Sequence, residues 1–370
     1  MASILVIADD LTGAAEIGGI ALRYNLTVDI VHELDAGLQS DVQILNSNTR
    51  SLKEDEIISY LKKITAELDK KAYPFIYLKF DSALRGFIKK QIEFFKDQLQ
   101  FQTVLFSPAN PSFGRIIENG VYYINGTLIN ETSFSEDPEF PIKDQHVLSI
   151  LQAPNWKLVQ APNNPDVTEG CLIAEVSTQE QLDLFAQDIH SGFLLAGGSA
   201  FFDAILHHKY KQFKIGFREH VELNYPILYV CGSAYEGSLE KISKVKPEYV
   251  VFMGNKENDE KVKEELINKL KERSRVIFAV SPETKGNAAE IRKRMALIVA
   301  YAYNKTEICE LVIEGGATSF EILNELNIKV ITPVQEIGLG LIKTIVEGKQ
   351  LFITLKPGSY PWKNELWEFK

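Results

Sequence analysis

An α/β fold is predicted for this chain: two α/β domains with mostly parallel sheets and a cleft between them. Three observations predict it. Short apolar runs alternate with helical stripes along the sequence, the pattern of parallel sheets flanked by helices. Several runs halt abruptly at charged, hydroxylic or glycine-rich residues, as buried strands do at the carboxyl edge of a sheet. And 370 residues exceed what one hydrophobic core usually serves, so two domains are expected, over residues 1–220 and 221–370.

Residues 4–8, an unbroken apolar run, form the first strand and stop at Asp9 and Asp10. Thr12 and Gly13 permit a tight turn, and residues 14–24 read as helix. Two carboxylates at a strand end are costly unless they meet a metal, a cation or a hydroxylated substrate. The plainer alternative is one helix cap and one solvated Asp. Strands follow at 26–31 and 42–46, the second leading through Ser47 to Arg50. Ile57, Leu61, Ile64 and Leu68 stripe a helix.

The strand at 75–80 repeats the opening pattern. It carries Lys79 and meets Asp81-Ser82-Ala83-Leu84-Arg85-Gly86, and the next helix shows Ile88, Ile92, Phe95 and Leu99 on one face. Strands at 103–106 and 193–196 complete the first half. Between them, Asn125-Gly126 separates two apolar runs, a strong signal for a two-residue hairpin. Residues 154–170, rich in proline and asparagine, read as a long surface loop.

Polar residues at 216–225 mark the domain boundary. The strand at 227–231 then enters Gly232-Ser233 and a helix around 238–242. Further strands are read at 249–253, 275–280, 311–313 and 351–355, with an amphipathic helix at 258–273 that buries Val262, Leu266 and Leu270. The strand at 311–313 leads into Glu314-Gly315-Gly316-Ala317-Thr318-Ser319 and a helix carrying Phe320, Leu323 and Leu326. The early junctions are rich in charge, the late ones in glycine and hydroxyls. That division suggests two facing sites, one for a polar small molecule and one for phosphate. Helix N-termini cradle phosphate with backbone N–H groups, and glycine lets it approach.

Composition narrows the classes. A net charge of −10 argues against a nucleic-acid partner, and no apolar stretch approaches a membrane span. The N-terminus lacks a basic n-region, so a cytoplasmic protein is expected. Cys171, Cys231 and Cys309 form no C-x-x-C pair, and the six histidines have no metal-ligand spacing. The dinucleotide and P-loop glycine fingerprints and the G-x-S-x-G elbow are all missing, which counts against an oxidoreductase or hydrolase.

Several blocks resemble the four-carbon acid sugar kinase family. They are Asp9-Asp10-Leu11-Thr12-Gly13-Ala14, Lys79 to Gly86, Pro108-Ala109-Asn110-Pro111-Ser112-Phe113-Gly114-Arg115, and Ser135-Glu136-Asp137-Pro138. In the second half they are Gly232-Ser233, Gly315-Gly316-Ala317-Thr318 and Lys356-Pro357-Gly358. The blocks keep the family's order over nearly the whole chain. The resemblance implies an ATP-dependent kinase acting on the terminal hydroxyl of threonate, erythronate or 3-oxo-tetronate. It also implies an N-terminal acid-sugar domain and a C-terminal nucleotide domain. Magnesium accompanies the ATP, its ligands unassigned, and homo-oligomerisation is left open. The nucleotide half departs from the family pattern: Tyr235 stands where a second hydroxyl residue is usual, and Ser359-Tyr360-Pro361-Trp362 replaces an aromatic-glycine ending. An acid-sugar sensor with a degenerate nucleotide domain is therefore the second reading.

The substrate's chemistry distributes the roles. Its carboxylate wants a guanidinium fork, for which Arg50, Arg85 and Arg115 are candidates. Asp9, Asp10 and Asp81 can accept from its hydroxyls, beside Thr12. Asp10 or Asp81 is the expected catalytic carboxylate, with Ser82 donating to the acid and Lys79 balancing charge. Ser233, Gly315, Gly316, Ala317, Thr318 and Gly358 are the expected nucleotide-binding residues.

Overall fold

The computed structural model describes residues 3–370 apart from 36, 67, 69–71, 138, 162–168, 188, 190–191, 211–220, 233–235, 285, 359, 368 and 370. The chain divides into two compact units, Met1–Val28 with Glu33–Ile215, and Asp29–His32 with Gly216–Lys370.

In chain order the early strands are β1 (Ile4–Ala8), β2 (Val28–Val31), β3 (Val42–Asn46), β4 (Phe75–Lys79) and β5 (Thr103–Ser107). A small antiparallel set follows, β6 (Arg115–Glu118), β7 (Val121–Ile124) and β8 (Thr127–Leu128), then β9 (Lys157–Val159), β10 (Gly170–Ala174) and β11 (Phe193–Gly197). The main sheet of the first unit runs β3-β1-β4-β11-β5-β10-β9, every pair parallel. All five residues of β1 are buried, because an interior parallel strand is covered on both faces; hence its continuous apolar run. The helix after it, α1 (Leu11–Arg23), starts at the N-cap Asp10, in extended conformation, and buries a face of alanine, glycine and isoleucine.

The expected hairpin is present. Asn125 and Gly126, at φ 50 and 79, join β7 to β8, and β6 adds a third strand. The loop expected at 154–170 is corrected in part: it contains β9, a short strand on the edge of the main sheet, and its residues 162–168 lie outside the described residues.

In the second unit β12 (Ile227–Cys231), β13 (Val250–Met253), β14 (Arg275–Val280) and β15 (Glu310–Glu314) precede β16 (Val330–Gly338), β17 (Leu341–Ile345) and β18 (Phe352–Lys356). The order β13-β14-β12-β15-β18 is parallel, while β17 and β16 continue the sheet antiparallel, and β16 pairs with β2. The helix at Asp259–Glu272 buries Val262, Leu266 and Leu270, as its stripe predicts. Among the described residues no helix is long and apolar enough to cross a membrane.

Candidate functional site

Register brings the predicted residues of the first unit together. Ala8 of β1 pairs with Asn46 of β3 and Lys79 of β4, so the segments beyond these strands emerge side by side. The ladder continues past the strand ends: Ser47 N–H donates to Ala8 O at 2.9 Å and Asp9 N–H to Lys79 O at 3.2 Å.

Arg50 organises this edge. Its Nε and Nη2 donate to Asp9 Oδ2 and Oδ1 at 2.9 and 2.7 Å, a bidentate fork, and its Nη1 donates to Asp10 Oδ2 at 3.0 Å. Asp10 also accepts from Gly13 N–H at 2.8 Å and from the Thr12 hydroxyl at 2.6 Å. The Asp9 side chain is 0% exposed and that of Asp10 is 14% exposed. Asp9 is therefore sealed behind Arg50, while Asp10 keeps an open side. The two neighbours titrate apart for this reason. Burial lifts Asp9 to about 6 against the pull of Arg50. Against the same burial, Arg50 and Lys79, with the bonds from Thr12 and Gly13, hold Asp10 below the usual carboxylate range.

Lys79 turns inward. Its Nζ donates to Phe80 O at 3.1 Å and lies 3.5 Å from Glu16 Oε2 on α1. Beyond it, Arg85 Nε donates to Asp81 Oδ2 at 2.6 Å and Arg85 Nη1 to Asp137 Oδ2 at 3.1 Å. Against burial, Arg85 and then Arg50 hold Asp81 far below its ordinary range. Leu84, at φ 62, occupies a left-handed conformation rare for leucine and marks this turn as strained. Arg115 Nη1 donates to the Ser82 hydroxyl, and Tyr122 OH to Ser82 O, which ties the small sheet to the Asp81–Arg85 turn. The Phe134 ring meets both guanidinium groups, its centre 5.4 Å from that of Arg85 and 5.6 Å from that of Arg115.

Arg50 and Arg85 thus each hold two carboxylates. Among the described residues none lies within ion-pair distance of Arg115, whose guanidinium bonds the Ser82 hydroxyl, meets the Phe134 ring and helps from further off to keep Asp81 ionised. Glu16, Tyr122, Phe134 and Asp137 join the site without having been assigned from sequence. Asp137 stood inside a quoted block; Glu16 is a lone acid on the otherwise small and apolar buried face of α1.

In the second unit Cys231, Glu314 and Lys356 pair in register across β12, β15 and β18. Gly315, at φ 95, makes the turn into the helix at Gly316–Glu325. A cavity of about 400 Å³ is lined by Gly232, Gly315, Gly316, Ala317 and Thr318 together with the apolar Leu239, Val280 and Ile291. Gly232 has no room for a side chain, because a Cβ there would stand 2.3 Å from Thr318 Oγ1. Gly358 follows β18 and does not line this cavity, and Ser233 lies outside the described residues. Val280, the last residue of β14, and Ile291, in the helix at Ala288–Lys305, had no binding role from sequence, since apolar residues in strands and helices read as core. Among the described residues no group of three or more His, Cys, Asp or Glu side chains could hold a metal ion.

A family model described as a sugar-binding N-terminal domain matches residues 4–205. A 3-oxo-tetronate kinase of Brucella melitensis is 28% identical over 155 residues, 40% of this chain and 36% of that protein. A D-threonate kinase of Salmonella typhimurium is 25% identical over 173 residues, 46% of this chain and 41% of that protein. The matches therefore span less than half the length of these curated relatives. The crystal structure of a Haemophilus influenzae protein matches with a TM-score of 0.71 at 19% identity, covering 99% of this chain and 98% of that one, a likeness of fold. With more than half of its residues matched by the sugar-binding model, and relatives of this kind, the chain belongs to the four-carbon acid sugar kinase family.

Proposed function

We propose that this chain is an ATP-dependent kinase that phosphorylates the terminal C4 hydroxyl of a four-carbon acid sugar such as threonate, erythronate or 3-oxo-tetronate. Residues 1–220 bind the acid sugar and residues 221–370 the nucleotide. The observation that carries this reading is the charge pairing at the strand ends of the first unit. Arg50 and Arg85 are committed to carboxylates, and Arg115 is not. A guanidinium in that state takes a carboxylate in bidentate fashion, and Ser82 beside it adds a hydroxyl. The names of the curated relatives, 3-oxo-tetronate kinase and D-threonate kinase, support the same class of substrate.

Asp10 then accepts from the C4 hydroxyl on its open side, and Asp81 from a second hydroxyl. A carboxylate held below its usual range is a weak base. Its work is to orient the hydroxyl and take the proton late, which the loose transition state of phosphoryl transfer permits. Asp9 acts one step back by fixing Arg50, and Lys79 offsets Glu16 beneath the turn.

The second unit fits a nucleotide: apolar side chains for a base and a glycine turn at a helix N-terminus for phosphates. ATP supplies the phosphoryl group and Mg²⁺ offsets its charge. Mg²⁺ draws most of its shell from phosphate oxygens and water, so it asks the protein for one or two carboxylates rather than a cage. The test is ADP release with magnesium, ATP and a panel of four-carbon acids. At least one acid is turned over, and Asp10→Asn or Asp81→Asn lowers kcat by about 100-fold or more. Binding of an acid without turnover of any would favour the sensor reading instead.

A further inference from the structure

In the second unit a chain of buried polar contacts joins three separate stretches of sequence: the helix after Gly232, the end of β15 before its glycine turn, and the end of β18. Lys356 Nζ, at the end of β18, donates to Glu314 Oε1 at 2.7 Å, at the end of β15. The Ser238 hydroxyl, on the helix at Glu236–Ser243 that follows Gly232, donates to the same oxygen. Trp362 Nε1 donates to Ser238 Oγ at 3.1 Å. Lys356 donates also to Pro357 O at 3.0 Å, and its Nζ lies 4.8 Å from the centre of the Trp362 ring. Glu314 and Lys356 are 0% and 1% exposed. The ammonium of the Lys-Pro-Gly motif is thus spent inside the protein and cannot reach a ligand without leaving these partners.

Packing alone does not account for the pair. Apolar side chains of similar volume stabilise a buried position at least as well as an ion pair does. Glu314 Oε2, moreover, is buried and accepts no hydrogen bond among the described residues, a cost that a purely structural residue would shed. What the pair supplies is geometry. Glu314 immediately precedes Gly315, whose N–H donates to Lys356 O at 2.8 Å, and Gly316 opens the helix at Gly316–Glu325.

We propose that Glu314 is a positioning residue for nucleotide binding: through Lys356, Ser238 and Trp362 it sets the helix after Gly232, the turn after β15 and the end of β18 against one another. This rests on the nucleotide reading of the second unit. It assigns Lys356 to the frame and not to the phosphates.

Isothermal titration of the full chain with Mg·AMPPNP, and separately with threonate, tests it. Glu314→Gln keeps the volume and an oxygen for Ser238 but removes the charge. The double variant Glu314→Met/Lys356→Met keeps volume without any polar atom. Both are expected to lose AMPPNP affinity by about tenfold or more while threonate affinity changes by less than about twofold. The methionine pair is expected to melt close to wild type or above it, as a pair that serves geometry predicts. Wild-type AMPPNP affinity in the folded variants overturns the proposal, and so does a parallel loss of threonate affinity and melting temperature, the mark of a merely structural role. If the methionine pair does not fold, Glu314→Gln decides alone. Threonate binding by the wild type without AMPPNP binding would instead sink the nucleotide reading, and the inference with it.

Discussion

Replacing Arg50 by methionine removes three charge-assisted hydrogen bonds, at 2.9, 2.7 and 3.0 Å, from two carboxylates whose side chains are 0% and 14% exposed. Taking one member from a buried pair costs about 3–5 kcal/mol, because the charge left behind has no compensation. For a unit of this size each kcal/mol moves the midpoint by about 2–4 °C, so Arg50→Met melts about 6–20 °C below wild type near neutral pH. Acid should return part of that loss. Burial already lifts Asp9 to about 6 while Arg50 pulls it down; without Arg50 it rises further. A folded-state pKa above the unfolded one means that the folded chain binds the extra proton. The penalty on ionised Asp9 is then full above the folded pKa and fades as pH falls toward the unfolded value. Asp10 adds nothing to the change between about pH 5 and about pH 7, because its window lies in and below the ordinary carboxylate range. Its depressed pKa stabilises the wild type above the unfolded value, and that advantage fades as pH falls through the folded value. The gap between variant and wild type is therefore smaller at about pH 5 than at about pH 7. Calorimetric or circular-dichroism melts at the two values measure it. A variant within about 2 °C of wild type near neutrality, or a gap that does not change with pH, would refute the charge network as the source of stability here.

Two further outcomes follow from the same geometry. Arg115→Met should raise KM for the acid sugar by about 100-fold with a smaller effect on kcat, because it removes binding common to ground and transition states; steady-state kinetics over an acid titration measures it. Gly232→Ala would set a Cβ 2.3 Å from Thr318 Oγ1. AMPPNP affinity is expected to drop about tenfold or more by titration calorimetry, with threonate binding unchanged.

Much of the fold was legible because buried parallel strands announce themselves as apolar runs; β1, β3 and β14 lie where those runs do. What escaped was structure without that signature. β16 carries Pro333, alternates buried and half-buried residues, and has register shifts against β17, so it reads as neither a core strand nor a helix. β9 has three residues and sits on an edge. The helix at Ala288–Lys305 buries Arg294, whose bonds to Asp259 at 3.0 and 2.6 Å disguise an inward face as a polar one. In the sites, residue types were readable and partners were not. Arg50 meets Asp9 across 41 positions, Arg115 meets Ser82 across 33, and Lys356 meets Glu314 across 42. Such pairs are set by sheet register and by how the turns pack, which a local pattern does not encode.

That pairing bears on what the first unit can discriminate. A buried cation is costly unless compensated, and Arg50, Lys79 and Arg85 each have a carboxylate of the chain nearby. These groups form a frame already neutralised before any ligand arrives, one that offers oriented carboxylate oxygens but little net attraction. Arg115 stands outside that frame: among the described residues it has no ion-pair partner, and the Ser82 hydroxyl and the Phe134 ring hold it. On the reading proposed here, the acid function supplies its missing partner and the sugar hydroxyls meet Asp10 and Asp81. An uncharged four-carbon polyol would satisfy the aspartates and leave the guanidinium unpaired, whereas a plain carboxylic acid would satisfy the guanidinium and leave the aspartates short of donors. Each incomplete ligand leaves a desolvated polar group behind, the kind of penalty that separates substrates more sharply than a missing contact does. On the proposed reading, selectivity for an acid sugar over either half of its chemistry follows from which charges the fold has already paired.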